Sequence, residues 1–97
     1  MRGYVYILRC ADGSFYTGST KNLEIRLRQH QSGQGANYTK TRLPVVLVYY
    51  EEYLRIDKAF YRERQIHGWT HRKKLALIEG RNDALPKYAK KVFRNKN

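Results

Sequence analysis

The chain has 97 residues, 20 lysines and arginines against 8 aspartates and glutamates, and a formal charge of +12. That length suits one small domain with a modest core, and no apolar run approaches a membrane span or a signal-peptide core. The single cysteine, Cys10, excludes an internal disulfide and suits a reducing, cytoplasmic setting, while the charge favours a polyanion partner through counterion release.

Tyr4 to Ser19 reads YVYILRCADGSFYTGS. Two runs rich in Val, Ile, Phe and Tyr flank Asp12-Gly13, the pattern of a β-hairpin. Loop length sets the register. A two-residue loop opposes Arg9 to Tyr16 and Tyr6 to Ser19, and the two phenols then point to opposite faces. A three-residue loop, Ala11-Asp12-Gly13, opposes Leu8 to Tyr16 and Tyr6 to Gly18, and the phenols share a face. That loop holds its glycine in the left-handed region, where Gly13 costs least. The odd-length loop is expected if the phenols act together.

Thr20 or Asn22 can cap the next helix, with Glu24 in its first turn. Leu23 and Leu27 give that helix an apolar stripe; Arg26 and His30, also i and i+4, lie on one face. Gly33 and Gly35 end it, and residues 36–41 can hold one helical turn. Pro44 marks the entry to a strand over Val45 to Tyr50, apolar on both faces and therefore covered on both sides. Asp57 is expected to cap a helix from Lys58 to about His67, stopped by Gly68. Thr70 caps another, His71 to Glu79, closed by Gly80. Asp83 is expected to start a last helix reaching Phe93, with Pro86 in its first turn.

Ala59, Phe60, Glu63, Ile66 and His67 form one helical stripe, with Lys58, Arg62 and Arg64 further outward. Glu63 then faces the core, where a carboxylate must be paired, hydrogen-bonded or metal-bound. A structural ion pair with an arginine and a ligand or catalytic role at the core edge both satisfy that demand. A zinc site does not fit, since Cys10 is alone and His67 and His71 straddle a helix break. Gly33-Gln34-Gly35 lacks the Lys-Ser/Thr of a P-loop.

Taken in order, Tyr4-Val5-Tyr6, Tyr16-Thr17-Gly18, Arg26 and His30 in NLEIRLRQH, Glu63, and Asn82 after LALIEG resemble the GIY-YIG nuclease superfamily. The chain is most similar to its small stand-alone bacterial members of the URI type (UPF0213-like). Tyr4 stands for the first motif's initial Gly, and Thr17 for the Ile of the second. Some relatives carry a Lys directly after the second motif; here that position is Ser19, with Lys21 two residues on. The resemblance implies an α+β fold, a three-stranded antiparallel sheet flanked by helices in ββα-β-αα order. Residues 1–85 would be a single GIY-YIG domain and residues 86–97 a C-terminal helix and basic tail. It further implies an endonuclease that hydrolyses DNA phosphodiesters with Mg²⁺ or Mn²⁺. Glu63 would be the one protein ligand to the metal, which suits an ion that keeps its waters. Arg26 would hold a phosphate oxygen, with Lys21 and Asn82 as further substrate contacts. Tyr16 would be the general base with Tyr6 as partner, and His30 the alternative base. The rival reading is a nucleic-acid-binding module without turnover, using the same basic surface. Neither reading calls for a membrane or an obligate protein partner.

Overall fold

The hairpin closes with the odd-length loop. In the computed structural model, which describes residues 1–80, the Cys10 N–H donates to the Ser14 carbonyl (2.8 Å) and the Gly13 N–H to the Cys10 carbonyl (2.9 Å). Gly13 sits at φ +86°, in the left-handed region. The Asp12 carboxylate accepts from the Ser14 N–H and hydroxyl, which stiffens the loop. Strand β1 (Gly3–Arg9) therefore pairs antiparallel with β2 (Phe15–Thr20), with Leu8 opposite Tyr16 and Tyr6 opposite Gly18. Both tyrosines lie on one face.

Strand β3 (Val46–Tyr53) joins the other side of β1, also antiparallel, giving the order β2-β1-β3. It runs three residues beyond the expected Tyr50, because Tyr49, Glu51 and Tyr53 continue one alternating face. A bulge between Ile7 and Leu8 shifts its register. The sheet is covered on both sides, as the apolar run in β3 suggested. One face packs Tyr6, Leu8, Cys10 and Val45 against Leu23 and Leu27 of α1 (Leu23–Gln31). The other packs Val5, Ile7 and Tyr49 against Ala59 and Ile66 of α3 (Ile56–His67) and Leu77 of α4 (His71–Ile78). On that second face Thr17 is buried, and its hydroxyl has no hydrogen-bond partner among the described residues.

Capping follows the sequence at two helices and departs from it at one. Asn22 caps α1, accepting from the Ile25 N–H (3.0 Å), and Thr70 caps α4, accepting from the Lys73 N–H (3.1 Å). The short helix α2 (Asn37–Lys40) is the helical turn expected in residues 36–41. Helix α3, however, is capped by Arg55, and its first helical residue is Ile56, two before Lys58. Asp57 lies in the first turn, pairs with Arg55 at 2.9 Å, and meets the positive end of the helix dipole there. The α3 stripe is also rotated from the expected one. Arg62 turns inward, 4% exposed, while Phe60 faces out at 52%. The reason is Glu51 on β3, buried at 2%, which Arg62 neutralises from 3.0 Å. The core ion pair therefore uses Glu51, and Glu63 is left half-buried beside it. The helix expected from Asp83 to Phe93 lies outside the described residues.

Candidate active site

Tyr6 and Tyr16 come from adjacent strands, two register positions apart, with ring centroids 6.5 Å apart. Gly18 makes room for them. A Cβ at Gly18 would stand 2.4 Å from the Tyr6 hydroxyl, so the phenol crosses the space a side chain would fill. Tyr6 is 2% exposed and Tyr16 is half-buried, so Tyr16 is the phenol that reaches solvent.

Helix α1 brings His30 and Arg26 to this face. His30 is fully buried and lies 2.8 Å from the Tyr6 hydroxyl through Nε2 and 2.8 Å from the Thr39 hydroxyl through Nδ1. Both ring nitrogens are engaged. Burial, reinforced by the Arg26 cation, pushes its pKa down to about 4, so the ring is neutral at neutral pH. Arg26 is half-buried and anchored to Gln29 (2.9 Å). Its guanidinium also reaches the Tyr6 phenol and opposes the main effect there, burial, which pushes the Tyr6 pKa up to about 12. Tyr16 is likewise raised by burial, with Arg26 opposing.

The carboxylate arrives from α3. By strand alternation Ser19 points away from Tyr16 and Gly18, toward α3, and its hydroxyl donates to Glu63 Oε1 (2.9 Å). This ties Glu63 to the edge strand β2. The Glu63 charge acts on both phenols, raising each. The Glu63 charge thus reaches both phenols around the β2 edge, from the other face of the sheet, and the Arg26 guanidinium opposes it. Lys21 is not part of that cluster. It is exposed and lines a separate open hollow of about 500 Å³ with Tyr4, Leu27, Tyr50 and Glu52. Asn82 lies outside the described residues.

Glu63 Oε1 is held by Ser19 and Oε2 has no protein partner among the described residues. No group of three His, Cys, Asp or Glu side chains that could cage a metal occurs among them. One oriented carboxylate suits a hard cation that retains its waters, and does not suit one that needs a full protein shell.

Several contributors escape a reading by motif. Ser19 could be found from the odd-length register alone, which faces it toward the carboxylate. Thr39 and the stacking of Tyr38 on Tyr16 (6.0 Å, 24°) depend on how α2 folds back over the hairpin, which no local pattern shows.

A three-stranded antiparallel sheet flanked by helices in this order is the fold of a known class. Residues 2–76 match the model of the GIY-YIG catalytic domain, so the chain belongs to the GIY-YIG family, a nuclease family. Within it the likeness is to UPF0213 proteins. The UPF0213 protein SH2523 of Staphylococcus haemolyticus is 50% identical over 78 residues, covering 80% of this chain and 95% of that protein. The solution NMR structure of UPF0213 protein BH0048 from Bacillus halodurans is 40% identical, with TM-score 0.54 over 81% of this chain and 84% of that one. Protein EF2693 of E. faecalis is 36% identical, with TM-score 0.56 over 82% and 85%. Among the described residues, no helix is long and apolar enough to cross a membrane.

Proposed function

We propose that this chain is an endonuclease that hydrolyses DNA phosphodiester bonds with the help of a divalent metal ion, Mg²⁺ or Mn²⁺. What supports this reading is that Tyr6 and Tyr16 share one face of the sheet with Arg26 beside them, and that both phenols feel the charge of Glu63 arriving at the β2 edge. Water attacks phosphorus, one P–O ester bond breaks, and the departing oxygen takes a proton from solvent. Tyr16, the phenol open to solvent, receives the proton of the attacking water and must first become a phenolate. Burial opposes that ionisation and Arg26 favours it. Arg26 also offsets the charge that grows on the phosphate. Glu63 would hold the ion, which when bound would supply Lewis-acid stabilisation of the charge on the phosphate. His30, buried and engaged at both nitrogens, serves behind Tyr6 and does not meet the water itself.

The test is nicking of supercoiled, branched and single-stranded DNA with Mg²⁺ or Mn²⁺. Wild type cleaves, Glu63→Gln does not, and Tyr16→Phe loses roughly 10²–10⁴-fold in rate. A wild type that binds DNA without cutting it in either metal would instead favour the binding module, which rests on the +12 charge alone.

A further inference from the structure

We propose that Thr39 is a positioning residue that sets the tautomer of His30 and, through it, the direction of the Tyr6 hydroxyl proton. The role in catalysis rests on the nuclease reading above; the tautomer does not.

The direction can be read from the far end of the chain of hydrogen bonds. The Thr39 hydroxyl lies 3.0 Å from the Ala36 carbonyl, and a carbonyl only accepts. The one hydroxyl proton of Thr39 is therefore committed there. Toward His30 Nδ1, 2.8 Å away, the Thr39 oxygen is left as an acceptor, so Nδ1 carries the proton. A neutral imidazole has one N–H, which leaves Nε2 bare. The Tyr6 hydroxyl at 2.8 Å must then donate to Nε2. Its proton points into the protein, and its lone pairs face Arg26 and the site. With the opposite tautomer, Nε2–H would donate to Tyr6 and turn the phenol proton outward.

The surroundings hold Thr39 in place. Its carbonyl accepts from the Arg42 N–H (2.9 Å), and Arg42 reaches the hairpin loop twice. The Arg42 carbonyl accepts from the Ala11 N–H (2.9 Å), and its Nε pairs with Asp12 at 3.2 Å. Gly35 completes the mount, since a Cβ there would stand 2.3 Å from His30 Nδ1. The hairpin that carries the tyrosines thus also fixes the segment that orients their histidine.

The test is ¹⁵N spectroscopy of the imidazoles in the whole protein near neutral pH, with His30→Gln to assign the signal. Wild type shows a protonated Nδ1 and a bare Nε2. Thr39→Ser keeps that signature, and Thr39→Val shifts it toward Nε2–H; Thr39→Ala replaces Val should Val not fold. A wild-type Nε2–H tautomer, or a Thr39→Val (or Ala) signature like wild type, overturns the proposal. In the nicking assay Thr39→Val loses roughly 10- to 100-fold in kcat, by analogy with the partners that orient metal-bound histidines. KM holds and Thr39→Ser restores the rate; equal losses in Ser and Val overturn the catalytic role. Should no form cleave DNA, the nuclease reading falls while the spectra still decide the tautomer.

Discussion

Burial moves the two partners of the Tyr6–His30 hydrogen bond in opposite directions, the phenol up to about 12 and the imidazole down to about 4. Each is thereby held neutral across the range in which a nuclease works, and neither charge has to be hidden in the core. The histidine carries a consequence for stability. Its ordinary value is 6.5, so the unfolded chain takes up a proton near that pH while the folded chain resists until about 4. As pH falls through this window the unfolded state binds more protons, and stability declines. The contribution is fully present above about pH 6.5 and is lost toward pH 4, amounting to roughly 3 kcal/mol at 1.36 kcal/mol per unit. Urea midpoints measured across that window should fall in wild type and much less in His30→Gln. Equal slopes in the two proteins would assign the loss to other groups.

Helix α3 does two jobs that a hydropathy pattern confuses. Its inner stripe buries Ala59, Arg62 and Ile66, and its flank presents Glu63 to β2. A periodicity reading counts arginine as an outward residue, so it turned Arg62 out and Phe60 in. What it lacked was a buried carboxylate on another strand. Glu51 accepts from the Arg62 guanidinium (3.0–3.2 Å) and from the Tyr49 (2.8 Å) and Tyr53 (2.6 Å) hydroxyls. Burial and the Glu51 charge hold the Tyr49 phenol well above its ordinary pKa, so it stays a donor. The hairpin was easier to read. Its register follows from the turn chemistry of Gly13, and the pairing of Tyr6 with Gly18 follows from the register. Local geometry was thus legible and long-range charge pairing was not. The pair also ties α3, which carries Glu63, to β3. Glu51→Gln removes the charge that faces the buried Arg62 guanidinium from β3 and should cost about 3–5 kcal/mol in denaturant unfolding. The double replacement Glu51→Leu with Arg62→Met should cost less than the sum of the single changes, because neither charge is then left alone. Strict additivity would mean that the two side chains do not depend on each other.

Across the whole molecule, the charge of +12 and the site at the β2 edge supply different things. Long-range attraction to a polyanion needs only net charge, and exposed Lys21, Arg28 and Lys40 on and beside α1 contribute to it. Under the proposed function, cleavage depends on Glu63, which α3 carries to the β2 edge. The two therefore separate under salt and under substitution. With metal chelated, binding to a short duplex should weaken with salt at a slope of log K against log salt of roughly −4 to −6, near −0.9 for each phosphate neutralised. Glu63→Gln should keep that slope and bind as tightly or more so, because a negative charge has left the site, while its nicking is lost. A slope near zero would mean that the basic surface is not where DNA sits. Loss of binding together with cutting in Glu63→Gln would place this carboxylate in the fold or in DNA recognition rather than in the chemistry.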